Sequence, residues 1–94
     1  NNQITDLTPL SGMKGLAELY LSNNRITDLT PLARMSGLKE ISLSGNRIVD
    51  LTPLSGMKRL ETLFLMDNPK LTRAAIDKLQ KSLGGCRILH NADK

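Results

Sequence analysis

The chain has no tryptophan, and tyrosine, phenylalanine, cysteine and histidine occur once each. With so few rings, any core must be aliphatic. A single cysteine excludes an internal disulfide and a four-cysteine zinc site. No apolar run approaches the roughly 20 residues of a membrane span, and no signal-peptide pattern opens the chain. Nor does it open with Met, which predicts processing or excision from something longer. Catalytic constellations are missing too. Cys86 and His90 are four residues apart, roughly 13 Å along a strand and too far for a thiolate–imidazole pair. Cys86 reads as a small buried apolar group and His90 as a strand-end surface residue. Zinc favours four nitrogen or sulfur ligands, which the chain cannot supply. No phosphate-cradling GxxxxGK loop, GxGxxG turn or EF-hand loop is found. The sequence predicts no enzyme, no metal site and no cofactor.

What remains is ordinary for a folded chain. Of 94 residues, 39% are apolar and 23% charged, too apolar for disorder. A chain of this length buries only about 60% of its unfolded surface, so it needs an economical, repeated packing scheme or neighbours. The net charge of +4 is uneven, at +1 over residues 1–47 (five basic, four acidic) and +3 over residues 48–94 (eight basic, five acidic). No run of five like charges occurs, so this reads as a solvated surface.

Repetition explains the economy. Asn2, Asn24, Asn46 and Asn68 fall at steps of 22, as do Thr8–Pro9, Thr30–Pro31 and Thr52–Pro53, and Asp6, Asp28 and Asp50. Each copy carries LxxLxLxxNxI, with Leu16, Leu19, Leu21, Asn24 and Ile26 in the first, then Leu38, Ile41, Leu43, Asn46 and Ile48, then Leu60, Leu63, Leu65 and Asn68. This resembles the leucine-rich repeat family, over nearly the whole chain. The 22-residue length with IxDLTPL is similar to the subclass of bacterial internalins and of a regulatory subunit of type-1 protein phosphatase. The resemblance implies recognition on a concave sheet. It also points to a bacterial source and an extracytoplasmic site, although the residues name no compartment.

The pattern has its own physics. Alternation sends Leu19 and Leu21 inward and Glu18, Tyr20 and Ser22 outward. Copies stack strand on strand about 4.8 Å apart into a parallel sheet, with strands predicted at residues 17–22, 39–44, 61–66 and 86–89. Asn24, Asn46 and Asn68 form a ladder whose amides pair backbone groups of the buried turns. On the return path Thr is expected as N-cap and Pro as first residue of one short 3₁₀ turn. Met13, Met35 and Met57 should fill the core from the convex side. The Asp column reads as local backbone bonding beside Arg25 or Arg47 rather than as a metal site.

The pattern breaks once. Asn68-Pro69-Lys70-Leu71 has one residue more than Asn46-Arg47-Ile48, so Leu71 takes the Ile position. Thr72 then caps a helix to about Leu83, with Ala75, Ile76, Leu79 and Leu83 on its buried face and Gly84 as its stop. Residues 86–89 read as a last strand, with Cys86 and Ile88 inward. The predicted architecture is an α/β solenoid, a right-handed superhelix. It has a parallel sheet on the concave face, 3₁₀ turns on the convex face and a helix–strand cap at the C-terminus. One domain covers residues 1–94, divided into a partial repeat at 1–10, regular repeats at 11–71 and the cap at 72–94.

The outward columns are Glu18, Glu40, Thr62; Tyr20, Ser42, Phe64; and Ser22, Ser44, Met66. The only two aromatics share the middle column, with a notch floored by Ser42 and Ser44 between them. Glu18, Tyr20, Glu40, Ser42, Phe64 and Met66 are therefore the candidate binding residues for a protein or peptide partner carrying Lys or Arg at its rim. The same pattern also fits a C-terminal structural segment of a longer repeat protein, without a partner site of its own. A lesser reading, a weak nucleic-acid binder, needs Lys14, Arg34, Lys58 and Arg59 to cluster on the convex rim. Strand 1 is expected to be a bare edge with uncovered Leu and Ile, prone to self-association.

Overall fold

The computed structural model describes residues 5–10, 12–13, 15–35 and 37–92, Arg34 by its backbone alone. Four three-residue strands, β1 (Glu18–Tyr20), β2 (Glu40–Ser42), β3 (Thr62–Phe64) and β4 (Arg87–Leu89), form one parallel sheet in sequence order. The helical pieces are 3₁₀ turns at Thr8–Leu10, Thr30–Arg34 and Thr52–Leu54 and one α-helix, α1 (Arg73–Ser82). The strands are short because each copy contributes one inward residue per strand before turning. Pairing extends beyond them, however, from the Lys39 N–H to the Ala17 carbonyl (2.7 Å) through the Asn23 N–H to the Ser44 carbonyl (2.8 Å).

From β1 to β3 the register is the one the 22-residue period requires, and β4 joins it 25 residues on. Leu19, Ile41, Leu63 and Ile88 stack in one column, and Tyr20, Ser42, Phe64 and Leu89 in the next. Inside lies a single aliphatic core, to which Ile26, Leu32, Leu38, Ile41, Leu43, Ile48, Leu54 and Leu63 contribute fully buried side chains. α1 adds Ile76 and Leu79 to it, and Leu71, Leu83 and Cys86 are buried alongside. The Thr72 hydroxyl accepts from the Ala75 N–H (3.2 Å) and caps α1, and Lys58 Nζ donates to the Ser82 carbonyl at the other end (2.8 Å).

The ladder bonds are uniform. Asn46 Nδ2 donates to the carbonyls of Leu43 (2.9 Å) and Ser44 (3.3 Å) in its own turn and of Leu21 (2.9 Å) in the copy before. Its Oδ1 accepts from the Ile26 N–H (3.1 Å). Asn68 repeats this toward Leu65, Met66, Leu43 and Ile48, and Asn24 bonds Leu21 and Ser22. Asn46 and Asn68 thus each seal their own turn and staple two copies together.

Three expectations are corrected. Thr30 and Thr52 are not N-caps but the first residues inside the turns, after Leu29 and Leu51. The preceding Asp does the capping, with Asp6, Asp28 and Asp50 each accepting the N–H of the Thr two residues on at 2.9 Å. Asp competes better than Thr because its ionised oxygen makes a charge-assisted bond from an Asx-turn geometry. Met35 and Met57 are buried, but Met13 is 46% exposed, since packing reaches the first copy from one side only. The edge at β1 is also more covered than expected. Leu7, from the preceding turn, is buried, and so are Leu19 and Leu21, although Leu10 and Leu16 remain half-buried.

Candidate functional site

The outward face of the sheet is built by alternation, and its middle column is Tyr20, Ser42, Phe64, Leu89 in that order. Tyr20 is 58% exposed and Met66 37%, while Phe64 and Leu89 are half-buried. These apolar side chains have no structural need to face outward in a strand that already supplies its inward residue. The column beside them runs Glu18, Glu40, Thr62, Arg87, acidic at one edge and basic at the other.

The Tyr20 hydroxyl lies 3.1 Å from Glu18 Oε1 on its own strand and 2.9 Å from Glu40 Oε2 on the next. One phenol proton serves two carboxylates, which fixes the ring against the acidic column. The hydrogen bond to Glu40 and the adjoining carboxylates push the Tyr20 phenol up to about 12. The notch next to it is less free than the sequence suggests. The Ser42 and Ser22 hydroxyls bond each other, and Ser44 Oγ accepts the Met66 N–H (3.1 Å). The serine floor is thus tied within the face, so the notch offers shape and the flanking side chains offer the chemistry.

Two features were missed in the sequence. Arg87 completes the outer column, but 25 residues separate it from Thr62, and the helix in between hides the period. Asn23, Asp67 and Gly45 adopt left-handed backbone at φ 63°, 58° and 73°, lining the rim just before each ladder Asn. Asn, Asp and Gly are the types that tolerate that conformation, so this signal was present in the pairs Asn23–Asn24, Gly45–Asn46 and Asp67–Asn68. At the last copy the Asp67 N–H finds Asn91 Oδ1 (2.9 Å), where the earlier copies use the carbonyls of Ser44 and Met66.

Cys86 is buried, which pushes its thiol up and keeps it protonated. His90 Nδ1 accepts the N–H of Ala92. Among the described residues no three His, Cys, Asp or Glu side chains could hold a metal ion, and no helix is long and apolar enough to cross a membrane. Of the basic rim, Lys14 and the Arg34 side chain lie outside the described residues, and Lys58 is engaged at the end of α1.

With the stacked strands, Asn ladder and 3₁₀ turns in place, the comparisons fall on one architecture. The family described as Leucine Rich repeats (2 copies) matches residues 1–34 and 36–81. The chain belongs to the leucine-rich repeat family. Among solved structures, this leucine-rich repeat chain is similar to internalin C2 from Listeria monocytogenes, at 36% identity and a TM-score of 0.84. The match covers 98% of this chain and 41% of that one, so the leucine-rich repeat chain spans under half the length of the internalin. No curated protein sequence matches it. The repeat is internalin-like and of bacterial kind, and leucine-rich repeats are as a class non-enzymatic protein-interaction architectures.

Proposed function

We propose that the chain is a non-enzymatic interaction module that takes a protein or peptide partner on the concave sheet. The observation that carries this reading is the outward column Tyr20, Ser42, Phe64, Leu89, held in register by four strands, with Met66 beside it. Aromatic and Met side chains bury large area at modest entropy cost, which is what a hot spot requires. Glu18 and Glu40 favour Lys or Arg at one end of the partner and Arg87 favours a carboxylate at the other, so the face also sets a direction.

The test is a pull-down from bacterial extract with the wild type, Tyr20→Ala, Phe64→Ala and the double variant. Each single change should weaken a captured partner by about 2 kcal/mol while leaving the melting temperature nearly unchanged. A double variant that retains every partner would overturn the concave reading and favour the structural one. In that reading the helix and strand within residues 72–92 serve to cover the end of the stack.

A further inference from the structure

We propose that a second groove, on the flank where the chain leaves the strands, docks an acidic segment of a partner protein. It encloses about 450 Å³ and is lined by Thr27, Arg47, Val49, Pro69 and Lys70, none of them in the sheet. That volume accommodates a carboxylate with a neighbouring aliphatic side chain.

The groove lies at the one place where the repeat departs from its period. The extra residue in Asn68-Pro69-Lys70-Leu71 puts Pro69 and Lys70, both exposed, along one wall. On the floor stands Val49, which is 50% exposed. The equivalent residues of the other two copies are Thr5 and Thr27. Threonine and valine have the same shape, and an exposed side chain outside the strands gains nothing internal from exchanging a hydroxyl for a methyl. With Pro69, the exchange makes this part of the groove apolar.

The charge selects the occupant. Arg47 and Lys70 carry no ion pair among the described residues, and no acidic side chain lines the groove. The carboxylates nearest in sequence are engaged elsewhere. Asp28 and Asp50 hold the N–H groups of Thr30 and Thr52, and Asp67 Oδ1 accepts from Asn91 Nδ2. A partner carboxylate would find a guanidinium able to bind it with two parallel bonds and an ammonium beside it. An aliphatic neighbour on the same segment would cover Val49 and Pro69. The required ligand is an Asp or Glu adjacent to Leu, Ile or Val, and it does not depend on the concave face.

Selection of phage-displayed random peptides of about eight residues on the wild-type chain tests this. The expected pool is enriched in Asp or Glu next to Leu, Ile or Val. Its binding should fall by about ten-fold in Arg47→Gln/Lys70→Gln and by a smaller factor in Val49→Thr. It should persist in Tyr20→Ala/Phe64→Ala. All three variants can be checked for unchanged melting, and Val49→Thr only restores the residue of the other copies. A pool without acidic enrichment overturns the proposal, and so does an acidic pool that Arg47→Gln/Lys70→Gln still binds. Loss of the pool in Tyr20→Ala/Phe64→Ala alone would assign the peptides to the concave face and leave the flank as ordinary surface.

Discussion

Tyr20 is the only phenol in the chain, and there is no Trp, so its ionisation can be followed without interference. Absorbance at alkaline pH should give a midpoint near 12, against the ordinary 10.0, because the Glu40 hydrogen bond favours the neutral phenol. Glu40→Gln should bring that midpoint back toward 10.0. The raised value means that the bond's contribution to folding is complete below the ordinary value and fades as pH rises through about 12. A midpoint unmoved by Glu40→Gln would mean that the hydroxyl is not held there.

Asn46 is the second informative residue. Its amide donates to three carbonyls and accepts one N–H, so Asn46→Ala should cost about 1–3 kcal/mol in urea melts. Asn46→Asp should cost at least as much, because a carboxylate has no donor for the carbonyls. Asn46 was legible in the sequence because it recurs every 22 residues with both donor and acceptor. The bond between the Ser22 and Ser42 hydroxyls was not, because it runs diagonally between copies and leaves no trace in the pattern of either.

At the scale of elements, the 3₁₀ turns carry a pH dependence. The Thr hydroxyl and then the Thr N–H hold the carboxyls of Asp6, Asp28 and Asp50 below their ordinary value of 3.8. Folded values below unfolded ones mean that the stabilisation is present above that value and is lost as pH falls through the lowered values. Asp28→Asn/Asp50→Asn keeps an acceptor but removes the titration. In acid unfolding followed by circular dichroism the variant should therefore lose less stability below pH 3.8 than the wild type. An identical acid limb would remove these caps from the explanation.

The sequence showed that Asp and Thr act at this turn, but not which of them caps it. Both residue types do so, and their order is set by the geometry of the turn. The strands were legible to within a residue or two, since Leu at every second position leaves one choice of face. α1 was legible from Thr72 to Leu83 because Ala75, Ile76, Leu79 and Leu83 fall at helical spacing after a capping Thr, whereas the pairing of Arg87 with Thr62 required the end of the helix to be placed in space.

For the molecule as a whole, the sheet order puts β1 at one edge and keeps β2 and β3 inside. Leu43 sits between Leu21 and Leu65 and is fully buried. Leu43→Ala should cost roughly 2–5 kcal/mol, a large share of the stability of a chain this size. A loss under about half a kcal/mol in denaturant melts would contradict its central place. Among the described residues β1 pairs on one side only, with half-buried Leu10 and Leu16 in the same copy, so the 94-residue chain should self-associate through that edge. A polar repeat added ahead of it should suppress the association. Light scattering that shows a clean monomer at high concentration would argue against edge pairing.

The amides of Asn46 and Asn68 make the two joints that they staple chemically alike, which gives the regular copies translational symmetry along the axis. Excising residues 25–46 would join Asn24 to Arg47, just as Asn46 joins it now. Asn68 would then meet the Leu21 carbonyl in place of that of Leu43. The shortened chain should still close its sheet, with less total stability because stability in such a lattice accumulates unit by unit. The outward face has no such symmetry. Removing that unit would bring Tyr20 beside Phe64 and take Glu40, its hydrogen-bond partner, out of the face. The scaffold can therefore change length by whole units while each change rewrites what the surface recognises, so persistence of fold and turnover of partners are written in different residues of the same repeat.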